Sequence, residues 1–158
     1  MDFFGILNDD EKILERDIQF IYETHPYLID PRFLNAKVTP QYSLPSGYAD
    51  IVLFLNDEII VIELKINPLI PQYVLQLNEY MKDLSKEFSS RSISGVLIGK
   101  SPKMDIDTLI SNLNFPVEIK ILKEDIPIKI KICKNCRLAN PNKNEQCHFC
   151  SCTEWIKS

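Results

Sequence analysis

Residues 47–65 read Gly-Tyr-Ala-Asp-Ile-Val-Leu-Phe-Leu-Asn-Asp-Glu-Ile-Ile-Val-Ile-Glu-Leu-Lys, and this stretch decides the fold. Two apolar runs, at 48–55 and 59–66, flank a short polar break at Asn56-Asp57. Runs rich in Ile, Val, Leu and Phe are typical of strands that are buried on both faces of a sheet. The stretch therefore predicts a central β-hairpin. Charged residues are rare inside such a hairpin, and this one contains Asp50, Glu63 and Lys65.

The length of the turn determines where these charges lie. If Asn56-Asp57 is a two-residue turn, Asp50 lies directly across from Glu63, and Lys65 shares their face because side chains alternate with period two. A four-residue loop centred on the same point keeps this pairing. A three-residue loop shifts the register by one and places Asp50 on the other face from Glu63. The pairing of the two carboxylates is thus conditional on the register.

Two adjacent carboxylates beside an ammonium group form a site for a hard divalent cation, because the cation offsets their mutual repulsion. If the bound substrate is a phosphate ester, Lys65 would orient or activate the water that attacks it. The ammonium group would also stabilise the negative charge that builds up on phosphorus. The alternative is structural: Asp50 marks a strand end, and Glu63 and Lys65 form a solvated stripe. A register-matched Asp inside an apolar hairpin favours the metal site over this alternative.

These residues resemble the motif of the PD-(D/E)xK nuclease superfamily, in which Asp50 is followed by Glu63-Leu64-Lys65. More narrowly, the segments Leu44-Pro-Ser-Gly-Tyr-Ala-Asp50-Ile and Val61-Ile-Glu63-Leu-Lys65 resemble the NucS/EndoMS-like endonucleases. Ala49 stands where the superfamily name has Pro, a position that varies widely. The resemblance covers residues 11–100 and leaves the C-terminal segment out.

The resemblance implies a fold, a metal and a set of roles. The fold is an α/β restriction-endonuclease-like core of order αβββαβ, with a mixed central sheet flanked by helices. Asp50, Glu63 and the backbone carbonyl of Leu64 are implied to bind Mg²⁺ or Mn²⁺, and Lys65 is implied to be catalytic. A glutamate from the first helix and a glutamine from the helix after the hairpin are also implied, and the best matches are Glu15 and Gln76.

The flanking segments supply the other elements of this core, within a domain at 1–130. Apolar stripes predict helices at 8–25, with a cap at Asn8 and Glu11, and at 71–88. Strands are predicted at 33–42, where Pro40 indicates a sheet edge, and at 92–99 and 126–132. Without the resemblance, Glu15 is interpreted equally well as an exposed helix charge, and Gln76 as the edge of a helix interface.

All five cysteines lie between Cys133 and Cys152, and they predict a zinc ribbon at 131–158. Cys133-x2-Cys136 and Cys147-x2-Cys150 give four thiolates with the spacing of a tetrahedral Zn²⁺ site. The short polar connection between the pairs leaves no room for a hydrophobic core, so the ion would supply much of the folding energy. Disulfides are the alternative, but the chain shows no secretory signal. Cys152 is one thiol too many and is either spare or a replacement for Cys150.

The charge distribution gives a weak hint of a nucleic-acid partner. The chain has a formal net charge of −4, but residues 100–158 contain 10 Lys and Arg against 7 Asp and Glu, a balance of +3. A solvated surface is the ordinary explanation. Near the cysteine pairs, the residues that would contact nucleic acid are Lys134, Arg137, Lys143 and the possible stacking ring of Trp155.

The sequence therefore predicts a cytoplasmic endonuclease that depends on Mg²⁺ or Mn²⁺ and hydrolyses DNA phosphodiester bonds, with a zinc ribbon that assists substrate or partner binding. Cutting of both strands would require a second subunit, and a larger repair or restriction complex is a further expectation. No apolar run approaches a membrane span. The alternative is a catalytically inactive nuclease fold that serves as a DNA-binding or adaptor module.

Overall fold

The computed structural model describes residues 15–157, which form a five-stranded sheet, its flanking helices and a small two-stranded ribbon. The helices are α1 (Glu15–Thr24), α2 (Pro71–Glu87) and α3 (Asp107–Ser111), and 3-10 turns lie at Pro26–Leu28 and Pro31–Phe33. The sheet contains β1 (Lys37–Leu44), β2 (Gly47–Leu55), β3 (Glu58–Pro68), β4 (Ser92–Lys100) and β5 (Val117–Ile121). The ribbon contains β6 (Ile130–Ile132) and β7 (Ala139–Pro141). The predicted start of the first helix, at residues 8–14, lies outside the described residues.

The sheet is mixed, as predicted. Its order is β1-β2-β3-β4-β5, with antiparallel pairing among the first three strands and parallel pairing from β3 to β5. Parallel neighbours cannot be joined by a tight turn, so α2 forms the crossover from β3 to β4. This arrangement confirms the predicted αβββαβ order of the core.

The hydrophobic core has two layers, one on each face of the sheet. On one face, α1 packs through Ile18, Ile21 and Tyr22 against the hairpin residues Ile51, Leu53, Ile60 and Ile62. On the other face, α2 packs through Val74, Leu77 and Met81 against Val52, Ile59 and Val61. Burying one such aliphatic side chain stabilises the fold by about 2 kcal/mol, so the hairpin anchors both helices. No helix within residues 15–157 is long and apolar enough to cross a membrane.

The central hairpin has the predicted register. Leu55 pairs with Glu58, and the pairing continues to Ile51 opposite Ile62. Asn56 adopts a left-handed φ of 45°, which a two-residue hairpin turn requires at its first position. The three-residue loop, which would have separated Asp50 from Glu63, is therefore excluded.

The first strand lies at the sheet edge, as Pro40 predicts, but it begins later than predicted. Residues 31–33 form a 3-10 turn instead, because the Asp30 side chain accepts a hydrogen bond from the Arg32 amide at 3.0 Å. Gln41 follows Pro40 with a left-handed φ of 50°, so the edge strand is irregular at this point.

The predicted strand at 126–132 is shortened to Ile130–Ile132. The preceding residues turn instead, since the Asp125 carboxylate accepts a hydrogen bond from the Ile121 amide at 2.7 Å. Lys123 has a left-handed φ of 72° in the same turn. The chain thereby leaves the main sheet before it enters the ribbon.

The C-terminal segment packs against α1 and against the 3-10 turn that follows it, at Pro26–Leu28. The Tyr27 hydroxyl accepts a hydrogen bond from the Ala139 amide at 2.7 Å, and the Tyr22 hydroxyl donates to the carbonyl of Pro127. The ring of Phe149 meets the ring of Tyr27 edge-on, with centroids 5.4 Å apart. Tyr22, within α1, and Tyr27, in the 3-10 turn that follows α1, thus hold the C-terminal segment.

Candidate active site and metal centre

The two carboxylates lie where strands β2 and β3 separate. Backbone pairing ends at Ile51 and Ile62, and the next residues, Asp50 and Glu63, use their side chains instead. The Asp50 amide donates a hydrogen bond to Oε1 of Glu63 at 3.0 Å, and the Leu64 amide donates to Oδ2 of Asp50 at 2.9 Å. These reciprocal bonds hold the two carboxylates side by side.

Both carboxyl groups are poorly solvated. Glu63 is only 4% exposed, and burial together with the charge of Asp50 raises the pKa of Glu63 to about 8. Burial also raises the pKa of Asp50, against the opposing effects of the Leu64 amide and the Lys65 ammonium group. Two buried carboxyl groups that repel each other are stabilised by a shared proton or by a bound cation.

Lys65 brings an ammonium group to this pair. Its Nζ lies 3.9 Å from Oε2 of Glu63 and 5.0 Å from the centre of the Tyr73 ring on α2. The Lys65 side chain is 28% exposed. The ammonium group is therefore close to the carboxylates and still open to a ligand from solvent.

Helix α1 brings Glu15 to the same end of the strands. Its Oε1 accepts a hydrogen bond from the Ile66 amide at 3.3 Å. Its charge adds to the effect of burial on the pKa of both Asp50 and Glu63. Within residues 15–157, however, the four cysteines are the group of three or more ligands compact enough for one ion. Glu15 thus lies near the pair without completing a compact set of carboxylates.

Gln76 lies on α2 between two residues that touch the site. It follows Tyr73 by one turn and precedes Tyr80 by one turn, so all three share a helix face. Gln76 is exposed, and its side chain forms no hydrogen bond with Lys65 or with another described residue. The structure leaves its amide available to a ligand at the mouth of the site.

Tyr80 belongs to the site, although the sequence analysis did not include it. Burial, followed by the charges of Glu63 and Asp50, raises the pKa of Tyr80 to about 12, so the phenol keeps its proton at neutral pH. Gly47 leaves room for this ring, because a Cβ at Gly47 would lie 3.0 Å from the Tyr80 hydroxyl. The sequence signal for Tyr80 was its spacing of one helical turn from Gln76. Residues at the edge of an ordinary helix interface show the same spacing.

Two glutamines that the sequence analysis missed, Gln19 and Gln41, lie beside Asp50. Gln41 lies between the two β1 residues that pair with Ile51 and Ala49, and its side chain acts to lower the pKa of Asp50. Gln41 Nε2 also donates to Oε1 of Gln19 at 3.3 Å, and Gln19 Nε2 donates to the Asp50 carbonyl at 3.3 Å. Asp50 is therefore held by α1 and β1 as well as by β3.

The donor set of this site is suited to a hard divalent cation. One oxygen of Asp50 and one of Glu63 is held by a backbone amide, so the second oxygen of each is the potential ligand. Mg²⁺ and Mn²⁺ prefer carboxylate oxygens over nitrogen or sulfur. A cation here would also remove the repulsion that raises the Glu63 pKa. The residues present therefore fit such a metal.

The four predicted zinc ligands come together. Sγ of Cys133 lies 3.5 Å from Sγ of Cys150, Sγ of Cys136 lies 3.5 Å from Sγ of Cys147, and all four sulfurs lie within 4.8 Å of one another. Thiolates bound to one Zn²⁺ at about 2.3 Å are roughly 3.8 Å apart. The spacing of the sulfurs is thus suited to one tetrahedral ion, and the cluster is compatible with a zinc ribbon.

The two cysteine pairs lie in two separate backbone turns of the same type. The residue four positions after the first cysteine donates its amide to that cysteine's carbonyl, from Arg137 to Cys133 at 3.0 Å and from Ser151 to Cys147 at 2.9 Å. Arg137 and Ser151 have left-handed φ values of 66° and 64°. The two turns aim both thiols of each pair at one point.

Hydrogen bonds to the Cys147 sulfur favour its thiolate form. Burial acts to raise its pKa, but hydrogen bonds from the amides of Cys150 and Phe149 and from Asn140 outweigh burial, and the pKa of Cys147 falls to about 6. Asn140 is fully buried, and its Nδ2 lies 3.4 Å from Sγ of Cys147. No pattern in the sequence indicated this role for Asn140.

Cys152 and His148 lie outside the ligand set. The Cys152 sulfur accepts a hydrogen bond from the Glu154 amide at 3.4 Å and is not among the four clustered sulfurs. His148 is exposed, and its amide donates to Oδ1 of Asn140 at 2.8 Å. The structure therefore brings Cys150 rather than Cys152 into the cluster.

The predicted nucleic-acid contacts on the ribbon differ in their surroundings. Arg137 and Lys143 are exposed, whereas Lys134 is paired with Glu154 at 3.6 Å. Trp155 is half-buried, and Nζ of Lys131 lies 4.1 Å from the centre of its indole ring. One face of the indole is thus covered, and a base would have only the other face for stacking.

Comparisons with known proteins agree with the fold. No family model matches the sequence, and no curated protein matches it. An EndoMS–dsDNA complex matches with a TM-score of 0.57 and 20% identity, over 73% of this chain and 49% of that chain. A repair endonuclease from Pyrococcus abyssi matches with a TM-score of 0.57 and 19% identity, over 72% and 50%. This chain spans about half the length of the two matched structures.

The core is thus a nuclease-like α/β fold with a cysteine cluster at its C-terminal end. Its architecture is that of the NucS/EndoMS-like endonucleases, and the resemblance found in the sequence is confirmed at the level of the fold.

Proposed function

We propose that this chain is a metal-dependent endonuclease that hydrolyses phosphodiester bonds in DNA. The observation that carries the proposal is the reciprocal pair Asp50–Glu63 at the strand fork, with Lys65 beside it. The proposal is supported by the fold, which is shared with an EndoMS–dsDNA complex and with a repair endonuclease.

Asp50 and Glu63, with the carbonyl of Leu64, would hold Mg²⁺ or Mn²⁺. Such an ion would supply the positive charge that polarises the phosphodiester group. Glu15, the first residue of α1, accepts a hydrogen bond from the Ile66 amide and would adjust the charge around the metal ion. The buried position of Glu63 excludes competing water from this side of the site.

Lys65 would act on the phosphate and on the attacking water. In the reaction, the water oxygen forms a bond to phosphorus while the opposite P–O ester bond breaks, and the leaving oxygen ends as a hydroxyl group. An ammonium group 3.9 Å from Glu63 can orient the water and stabilise negative charge on the phosphoryl oxygens. Gln76, exposed one turn from Tyr73, would orient Lys65 or a backbone phosphate. Tyr80 keeps its proton and would donate it in a hydrogen bond.

We further propose two units, a nuclease domain at 1–130 and a zinc ribbon at 131–158. Zn²⁺ on Cys133, Cys136, Cys147 and Cys150 would be structural, because four thiolates leave no open position for chemistry. The ribbon would assist DNA or partner binding through Lys134, Arg137, Lys143 and the open face of Trp155. A second copy would be needed to cut both strands, and a repair or restriction complex in the cytoplasm is the proposed setting.

The proposal is tested by cleavage of a panel of DNA and RNA structures with Mg²⁺ or Mn²⁺. Wild type is compared with Asp50→Ala and Lys65→Ala, and Glu79→Ala serves as the matched control because Glu79 is an exposed acid in a surface ion pair on α2. We expect metal-dependent cutting of DNA that the first two changes reduce by at least 100-fold, on the order of one removed catalytic group. The control should retain full activity.

The alternative function, an inactive DNA-binding or adaptor module, has its own outcome in this experiment. The exposed Gln76, whose side chain forms no hydrogen bond with another described residue, is the observation that favours it. If wild type binds DNA tightly but cuts no substrate with either metal, the nuclease proposal is overturned and the adaptor function is supported.

A further inference from the structure

The ammonium group of Lys65 is held by few contacts within residues 15–157. Its Nζ lies 3.9 Å from Oε2 of Glu63, which is long for an ion pair, and it forms no hydrogen bond with a described residue. The other contact is with α2, where Nζ lies over the face of the Tyr73 ring, 5.0 Å from its centre. One acidic group and one aromatic group therefore determine where this ammonium group lies.

The contact with Glu63 involves the oxygen that a metal ion would use. Oε1 of Glu63 accepts a hydrogen bond from the Asp50 amide at 3.0 Å, which leaves Oε2 both as the potential metal ligand and as the partner of Lys65. A divalent cation on Oε2 would offset its negative charge and repel the ammonium group, because like charges at short range repel each other. The ion pair is thus weakest in the metal-bound protein, and the aromatic contact remains.

The Tyr73 ring is fixed relative to Lys65 by the backbone. Leu69 and Ile70 are the residues that join β3 to α2, so the link is short. Leu69 is fully buried and donates its amide to the Lys100 carbonyl at 3.0 Å, and the Tyr73 amide donates to the Ile70 carbonyl at 3.1 Å. The ring itself is half-buried and packs against the apolar cluster beneath α2. The aromatic face is therefore in place without a bound ligand.

An aromatic face suits this task better than a further carboxylate would. A ring attracts a cation through its electron-rich face, but it carries no charged oxygen that would compete for the metal ion. An ammonium group has three N–H donors, and the ring covers one side of it. The Lys65 side chain is 28% exposed, so its remaining donors can reach a water molecule or a phosphate oxygen. The Tyr73 hydroxyl forms no hydrogen bond with a described residue, which leaves the ring as the part that acts on Lys65.

We propose that Tyr73 is a positioning residue, which holds the Lys65 ammonium group beside the metal ligands through the face of its ring. This inference rests on the proposed nuclease function, in which Lys65 acts on the phosphate and on the attacking water. Tyr73 acts through Lys65 and not on the substrate itself. The contact matters most when a metal ion occupies Oε2 of Glu63, because the ion pair is weakest then.

The first measurement is steady-state cleavage by zinc-loaded protein, with kcat and KM determined separately at saturating Mg²⁺ or Mn²⁺. The variants are Tyr73→Leu, which removes the ring, and Tyr73→Phe, which keeps it. The matched control is Phe88→Leu, because Phe88 is also a half-buried ring on the apolar cluster beneath α2, at the other end of the helix, where Arg91 lies over it. We expect Tyr73→Leu to lower kcat by about tenfold with KM unchanged, as the loss of one cation–π contact in the transition state predicts.

The two other variants separate positioning from packing. Tyr73→Phe should retain kcat within about twofold of wild type, because phenylalanine keeps the ring face. Phe88→Leu should change neither constant, since it removes a similar amount of packing and leaves Lys65 in place. If Tyr73→Leu and Phe88→Leu behave alike, or if Tyr73→Phe loses as much kcat as Tyr73→Leu, the proposal is wrong.

The second measurement needs no cleavage. Nuclei above an aromatic face resonate upfield, so the Hε signals of Lys65 should lie upfield of those of exposed lysines in proton–carbon NMR spectra recorded without DNA. Lys65→Ala identifies these signals by their disappearance. Tyr73→Leu should move them to the position of exposed lysines, whereas Tyr73→Phe and Phe88→Leu should leave them upfield.

The same spectra test the role of the ring beside a bound metal. Added Mg²⁺ should leave the Lys65 signals of wild type upfield, because the ring still holds the ammonium group. Signals that Tyr73→Leu does not move, or that Mg²⁺ moves to the position of exposed lysines, would overturn the proposal.

The outcome is separate from that of the cleavage panel. If wild type cuts no substrate but the Lys65 signals depend on the Tyr73 ring, the nuclease function fails and the positioning contact stands. If Asp50→Ala abolishes cleavage while Tyr73→Leu changes neither kcat nor the Lys65 signals, the positioning assignment fails alone.

Discussion

The hydroxyl of Tyr27 accepts a 2.7 Å hydrogen bond from the amide of Ala139, across 112 residues of the chain. Both residues are buried, so this bond joins the end of the first helical segment to the first residue of β7 where water does not compete. The contact makes the position of the ribbon dependent on one phenol group.

Tyr27→Phe removes that acceptor and leaves the Ala139 amide unsatisfied. A buried, unpaired backbone group costs about 1–3 kcal/mol, and we expect the free energy of unfolding to fall by that amount. Urea denaturation of zinc-loaded protein measures the change. Tyr48→Phe is the control, because Tyr48 is 64% exposed and its hydroxyl has no role in the core. Equal stability of wild type and Tyr27→Phe would contradict the assigned contact.

The buried Glu63 predicts a pH dependence of stability when Mg²⁺ and Mn²⁺ are absent. Burial and Asp50 raise its pKa from 4.5 to about 8 in the folded state. Between these values the folded protein holds a proton that the unfolded chain has released, so stability is lost as pH rises through this range. The loss is at most about 1.4 kcal/mol per pH unit for one group. Denaturation at several pH values from 5 to 8 measures it.

Glu63→Gln should flatten this dependence, because the amide does not titrate. The variant also separates Glu63 from His25, whose pKa is lowered by burial and whose effect on stability has the opposite sign. If Glu63→Gln and wild type lose stability in parallel as pH rises, Glu63 is ionised in the folded state and the interpretation is wrong. Added Mg²⁺ should stabilise wild type most at the high end of the range.

The cysteine cluster predicts one zinc ion per chain. Cys136→Ser should lower the zinc content well below one and destabilise the ribbon, since a lost thiolate removes much of the metal's contribution to folding. Cys152→Ser should retain one zinc, because Cys152 lies outside the four clustered sulfurs. Metal analysis of protein purified under reducing conditions provides the measurement. A loss of zinc in Cys152→Ser but not in Cys136→Ser would reverse the assignment.

Ser151→Gly should stabilise the protein. Ser151 has a φ of 64°, a left-handed conformation that costs a residue with a Cβ about 1 kcal/mol. Relief of part of that cost should raise the melting temperature by about 2–4 °C. The control is Thr153→Gly, at an exposed position without a left-handed φ, where added chain entropy should lower the melting temperature. A lower melting temperature in Ser151→Gly would show that its side chain outweighs the strain.

The hairpin and the cysteine pairs were predictable because their information is local. The polar break at Asn56-Asp57 between two apolar runs locates the turn, and the register found for a two-residue turn places Asp50 beside Glu63. The two Cys-x-x-Cys spacings likewise determine which thiols meet, apart from the choice between Cys150 and Cys152. The apolar stripe of α2 correctly predicted which face of the helix is buried, because the spacing of apolar residues along a helix is also local information.

The supporting residues were not predictable, because their roles depend on contacts between distant segments. Gln41 reaches Asp50 through Gln19, from a position where β1 has a left-handed φ that glutamine does not favour. Asn140 reaches Cys147 because it is buried at the end of the ribbon. The predicted strand at 126–132 was too long because Asp125 caps a turn through its side chain, which an alternating pattern of Ile and Lys does not reveal.

The irregular edge strand has a consequence for the behaviour of the protein in concentrated solution. An exposed strand edge can pair with the edge of another molecule and begin aggregation. In β1, Pro40 has no amide hydrogen to donate, and the left-handed Gln41 bends the strand at the next residue. The same bend that places Gln41 beside Gln19, which bonds Asp50, therefore interrupts the row of hydrogen-bonding groups, so support for the Asp50 segment and resistance to intermolecular β-pairing have one structural origin.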